Sequence, residues 1–128
     1  MKHTCLIIED CNFIREIYHL NLKNSQVEII GEACDGKIGL QKIQQLQPDI
    51  IILDLVLPEV TGFEILSQTH QLSPHSKVLV VSTMADSNYK KKAMNLGAVG
   101  YLDKPFTKLE LLSAIDDITQ HYDGVQNG

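Results

Sequence analysis

Ile50-Ile51-Ile52-Leu53-Asp54 sets four large aliphatic residues in a row, three of them β-branched, and closes them with a carboxylate. A short continuous apolar run without polar alternation is the form of a strand that helices cover on both faces. Leu6-Ile7-Ile8 before Glu9-Asp10, and Val78-Leu79-Val80-Val81 before Ser82-Thr83, repeat that form upstream and downstream. With the more mixed second run and a brief fifth one, the strand candidates are Thr4–Ile8, Val27–Cys34, Asp49–Leu53, Lys77–Val81 and Val99–Leu102. The mixed second run is expected nearer an edge of the sheet.

Between these runs apolar residues recur at helical spacing: Phe13, Ile17 and Leu20; Ile38, Ile43 and Leu46; Ile65 and Leu66; Ala93 and Leu96; Leu111, Leu112, Ile115 and Ile118. Asp35-Gly36, Pro58 with Gly62, Pro74, Gly97, Gly100 and Pro105 fall near the boundaries of the elements. Strand and helix alternating five times predict an α/β domain with a mostly parallel sheet. The 128 residues have room for one core and are read as one domain over 1–128. Its core covers about 4–120, and the polar tail Tyr122–Gly128 is expected to fray.

Composition narrows the function classes. With 44% hydrophobic and 21% charged residues the chain resembles an ordinary globular protein, and its net charge of −5 argues against direct binding of nucleic acid or an anionic membrane. No apolar run approaches the roughly 20 residues of a membrane-spanning helix, and nothing at the N-terminus directs export. Cys5, Cys11 and Cys34 are odd in number and lack the close spacing of a zinc or redox pair, so a cytoplasmic setting is expected. The five histidines show no i, i+4 pair and none is assigned to a metal. Lys90-Lys91-Lys92 reads as a solvated helix face, with docking of an acidic partner as the alternative.

In an open parallel sheet, ligands collect beyond the carboxyl ends of the strands. Glu9-Asp10 follows the first strand, Asp54 the third, Ser82-Thr83 the fourth and Lys104-Pro105 the fifth, so three acids, a hydroxyl pair and a lysine are expected at one edge. An isolated Asp after a strand is most often a turn or cap residue. Three carboxylates within contact distance repel by roughly 4 kcal/mol per pair, and capping alone does not account for them. A hard divalent cation suits an all-oxygen site, and Mg²⁺ typically takes one or two carboxylates and keeps waters and phosphate oxygens. Asp10 and Asp54 are the expected direct ligands, with Glu9 acting directly or through a water. An Asp carboxylate beside such an ion can attack phosphorus and form an aspartyl phosphate. Lys104 would then pair with phosphoryl oxygens and Ser82 would donate a hydrogen bond to them.

Leu6 to Asp10, Ile51 to Pro58 with Gly62, Val80 to Thr83, and Gly97-Ala98 through Gly100 to Phe106 together resemble the response-regulator receiver family of bacterial two-component systems. The resemblance runs from Cys5 to about Ile118. It implies a flavodoxin-like, doubly wound (β/α)5 fold, a five-stranded parallel sheet with five helices on both faces. It implies Mg²⁺-dependent phosphorylation of Asp54 by a phosphohistidine on a sensor histidine kinase or phosphotransfer protein, and a Val56 backbone carbonyl in the Mg²⁺ shell. The chain would be a self-phosphorylating and self-dephosphorylating switch, not a conventional enzyme. Ser82 and Tyr101 match the family's switch pair, and the Lys104-Pro105 bond is expected to be cis. A downstream target would dock on the face of the fourth helix, fifth strand and fifth helix, with parts of Asn88–Leu96, Tyr101 and Leu109–Ile118. The stretch Ala98-Val99-Gly100-Tyr101 does not resemble the acidic dimerisation signature of DNA-binding relatives, which favours a monomer or a weak phosphorylation-dependent dimer. As the sequence stops after the fifth helix without an output domain, it either acts alone or forms one module of a longer protein.

Glu9 departs from the family's more frequent Asp, and Cys11 follows the acid pair as an expected inert residue. Val56 and Met84, both apolar, sit two residues beyond Asp54 and Ser82 and are expected to make self-dephosphorylation slow. A hydrolase of the haloacid dehalogenase type would need a second Asp where Val56 stands. A dinucleotide-binding domain would need glycines where Glu9-Asp10-Cys11-Asn12 stands.

Overall fold

The computed structural model of the chain describes residues 2–83 and 87–127, with side chains described as far as Gln120. The elements alternate without exception: β1 (His3–Ile8), α1 (Asn12–Leu22), β2 (Val27–Ala33), α2 (Gly36–Leu46), β3 (Ile50–Leu53), α3 (Gly62–Leu72), β4 (Lys77–Ser82), α4 (Ser87–Asn95), β5 (Gly100–Asp103) and α5 (Lys108–Asn127). All strand pairs are parallel, in the order β2-β1-β3-β4-β5, which is the flavodoxin-like doubly wound sheet. The mixed β2 lies at an edge, as its sequence suggests, and the three aliphatic runs form the centre.

Alternation of side chains along each strand divides the core in two. Leu6 and Ile8, Ile51 and Leu53, Val78 and Val80 face one side, with Ile43 of α2, Ile65 and Leu66 of α3 and Ala93 of α4. Cys5 and Ile7, Ile50 and Ile52, Leu79 and Val81 face the other, with Tyr18 and Leu22 of α1 and Leu111, Ile115 and Ile118 of α5. Right-handed crossovers produce this division, because the chain moves one way along the sheet from β1 to β2 and the opposite way thereafter.

One expectation changes. In α1 the row Phe13, Ile17 and Leu20 does not supply the buried face: Phe13 is 66% and Leu20 70% exposed, while Tyr18 and Leu22 are buried. Both rows have helical spacing; the second packs into the core on this side of the sheet, where Tyr18 also stacks on Phe106 with centroids 5.4 Å apart. The backbone of α5 continues to Asn127.

Candidate functional site

The strand order reverses direction between β1 and β3, so the chains leaving their carboxyl ends diverge and open a crevice. Parallel pairing extends one residue past the strands at this edge. The Glu9 amide donates to the Ala33 carbonyl at 3.0 Å, the Asp54 amide to Ile8 at 3.0 Å and the Lys104 amide to Ser82 at 2.9 Å. Glu9, Asp54 and Lys104 are thereby fixed by their backbones to the sheet.

Carboxylate oxygens of Glu9, Asp10 and Asp54 lie within 4.8 Å of one another. Glu9 and Asp54 are buried and Asp10 is exposed, so the acidic cluster faces solvent through Asp10. The Lys104 ammonium binds Glu9 Oε1 at 2.5 Å and Asp54 Oδ2 at 3.3 Å. The other Glu9 oxygen accepts from the Cys11 amide at 3.2 Å, and Asp54 Oδ1 accepts from the Val56 amide at 3.2 Å. Each buried carboxylate therefore has one oxygen towards lysine and one towards its own loop.

Burial raises the Glu9 carboxyl above its ordinary value; the Lys104 hydrogen bond opposes the rise and the Asp54 charge adds to it. For Lys104 burial favours the neutral amine, but the Glu9 hydrogen bond and the charges of Asp54 and Glu9 together hold its ammonium above the usual range. One ammonium among three carboxylates leaves the cluster short of positive charge if all three ionise. The donor set is all oxygen, hard, and partly open to water, which fits a small divalent cation such as Mg²⁺.

Ser82 is fully buried at the end of β4. Tyr101 on β5 is half-buried: burial raises its phenol, a side-chain hydrogen bond with Ser82 lowers it, and the Asp103 charge raises it again. The two expected switch residues are thus in direct contact. The Lys104-Pro105 peptide bond is cis. Val56 is half exposed, while Met84, its expected companion, lies outside the described residues. Cys11 is exposed and forms the N-cap of α1 without a side-chain cap bond. The lysines at 90–92 are exposed, and Lys92 lies 4.4 Å over the Phe63 ring.

Beyond the expected site residues, Arg15 donates to the Glu9 carbonyl at 2.6 Å, and Tyr18 of α1 stacks on Phe106 in the chain beyond Lys104. A basic residue inside the apolar stretch Phe13-Ile14-Arg15 was the available signal for the first. Two aromatics 88 residues apart in sequence carry no such signal for the second.

The family model for the response regulator receiver domain matches residues 5–116. The chain is 32% identical over 111 residues to the chemotaxis protein CheY of Listeria monocytogenes, covering 87% of this chain and 93% of that one. It is 27% identical over 120 residues to CheY of Thermotoga maritima, covering 94% and 100%. The crystal structure of a CheY-like response regulator receiver domain protein from Methanospirillum hungatei superposes with a TM-score of 0.84 at 26% identity over the full length of both chains.

Proposed function

The chain belongs to the response regulator receiver family, and from that premise we propose that it is a phosphorylation switch in which Asp54 is the acceptor. Receiver domains of this family are signalling modules and not conventional enzymes. The observation that carries the reading is the placement of the Lys104 ammonium 3.3 Å from Asp54 Oδ2, inside a cluster whose other acids, Glu9 and Asp10, have oxygens within 4.8 Å. A strand-end cap would need neither the half-buried lysine nor the two additional carboxylates.

Glu9, Asp10, Asp54 and the Val56 carbonyl would hold Mg²⁺, which when bound supplies charge neutralisation for phosphoryl transfer. An Asp54 carboxylate oxygen forms the new O–P bond as the P–N bond of a donor phosphohistidine breaks and the imidazole leaves with its electron pair. Lys104 moves from its carboxylate partners to the transferred phosphoryl oxygens. Ser82 donates its hydroxyl proton in a hydrogen bond to the same group. As Ser82 already shares a bond with Tyr101, its reorientation would be felt on β5 and so on the face formed by α4, β5 and α5. A sensor histidine kinase or phosphotransfer protein would supply the phosphoryl group, and a downstream target protein would read that face.

Intact-mass spectrometry after incubation with acetyl phosphate tests the reading. The native chain should gain a single phosphoryl adduct that needs Mg²⁺ and is labile to hydroxylamine, and Asp54→Ala should gain none. Absence of the adduct from the native chain, together with no binding of beryllofluoride, would overturn the acceptor reading and leave a receiver-shaped binding module.

A further inference from the structure

Arg15 stands on the first turns of α1 and spans three elements of the acidic edge. Its Nη1 donates to the Glu9 carbonyl at 2.6 Å, its Nη2 to Asn12 Oδ1, and its Nε pairs with Glu32 Oε1 at 3.1 Å. Only 15% of the side chain is exposed, so water screens these bonds less than it would a surface pair. Glu32 is itself held: its second carboxylate oxygen lies 3.0 Å from His19 Nε2, and its carbonyl accepts from the Lys42 ammonium at 2.5 Å. A guanidinium is a planar fork with several fixed donors, suited to fastening two acceptors at a set separation.

We propose that Arg15 is a positioning residue for the divalent-cation site, fastening the backbone of Glu9-Asp10 to Glu32 on β2 so that mutually repelling carboxylates stay gathered opposite Asp54. The proposal rests on the reading of Glu9, Asp10 and Asp54 as that site. Two features of the loop make such a fastening necessary. The three acids repel one another, and Asp10, the exposed one, is the member freest to swing away. The start of α1, which immediately follows, has Cys11 at its N-cap and no side-chain cap bond, so the usual anchor of a helix entry is missing. Arg15 supplies a different anchor from within the helix, donating back to the Glu9 carbonyl and to Asn12 Oδ1.

The test uses Mn²⁺ as a paramagnetic probe of metal affinity, titrated into the native chain, Arg15→Ala, Arg15→Lys and Lys42→Ala, with amide hydrogen exchange of the same proteins without metal. Loss of a partner that orients metal-binding groups typically weakens metal affinity by roughly tenfold or more. Arg15→Ala should show that loss and at least about tenfold faster exchange at the Asp10 and Cys11 amides. Arg15→Lys should recover part of both, because one ammonium reaches the Glu9 carbonyl or Glu32 but does not bridge them as a fork does. Lys42→Ala, which removes a bond to the Glu32 backbone carbonyl and leaves the Glu32 carboxylate to Arg15, should leave metal affinity near native. Unchanged Mn²⁺ affinity and unchanged exchange in Arg15→Ala would overturn the proposal. If the native chain binds no Mn²⁺, the cation-site reading fails on its own, and faster Asp10 and Cys11 exchange in Arg15→Ala would still establish the fastening, its absence removing that as well.

Discussion

Glu9 shows how one residue carries two opposed requirements. Its backbone extends the β1–β2 pairing and its side chain binds Lys104, yet burial and the neighbouring Asp54 charge disfavour its ionised form. A carboxyl whose folded pKa is raised makes its stabilising contribution fully below its unfolded value, here an ordinary 4.5, and loses it as pH rises through the higher folded value. Without divalent cation, the native chain should therefore gain stability from this group as pH falls from neutrality towards about 4.5. Glu9→Gln should raise the thermal midpoint at pH 7 by a few degrees, about what 1 kcal/mol produces in a domain of this size, and flatten that pH dependence. Calorimetry on both proteins between pH 4.5 and 7.5 checks this. A lower midpoint for Glu9→Gln would mean that attraction to Lys104 outweighs the cost of burying the charge.

Among the elements, the β3–α3 connection, residues 54–61, presents Asp54 and then folds back so that α3 begins against the Asp54 and Leu55 backbone. Gly62 permits the return: its amide donates to the Leu55 carbonyl at 3.0 Å, and a Cβ there would meet Leu55 Cα at 2.5 Å and the Asp54 carbonyl oxygen at 2.7 Å. Both obstacles are backbone and cannot rotate aside. Thr61 caps α3 at the same place, its hydroxyl accepting from the Glu64 amide at 3.2 Å. Gly62→Ala should cost roughly 1–3 kcal/mol, the range of overpacking in a close-packed interior, measured by urea denaturation. It should also slow phosphoryl acceptance from acetyl phosphate, since relief of the contact displaces the Asp54 backbone. A variant with native stability would show that the loop relaxes without strain.

At the scale of the whole molecule, the unbalanced acids make cation binding and folding interdependent. The cluster draws Glu9 and Asp10 from the end of β1 and Asp54 from the end of β3, so the unfolded chain has no equivalent site. A cation bound by the folded form alone stabilises it by RT ln(1 + [L]/Kd), about 2.7 kcal/mol at 100 times Kd. Thermal midpoints of the native chain should therefore climb steadily with Mg²⁺ concentration. The double variant Asp10→Asn/Asp54→Asn should start higher without Mg²⁺ and barely respond to it. A parallel rise in both proteins would place the stabilising ion elsewhere.

The alternation of five apolar runs with helical stretches was enough to determine the fold class, the central position of β1, β3 and β4 and the edge position of β2, because periodicity and burial are local properties of a segment. It also placed Glu9, Asp10, Asp54, Ser82 and Lys104 at strand ends, and the rule that parallel strands share one carboxyl edge brought them together. Tertiary structure alone decided the pairings within that edge. Lys104 reaches Glu9 across 95 residues of sequence, and the partner it meets depends on strand order and loop path. The same holds for α1, where Phe13, Ile17 and Leu20 compete with the row that includes Tyr18 and Leu22. Both rows satisfy a helical period, and the packing of α1 against the sheet and α5, where Tyr18 also stacks on Phe106, decides which one is buried. Arg15 was illegible for the same reason: what it holds, the Glu9 carbonyl and the Glu32 carboxylate, becomes adjacent only when β2 pairs with β1 and α1 packs across them.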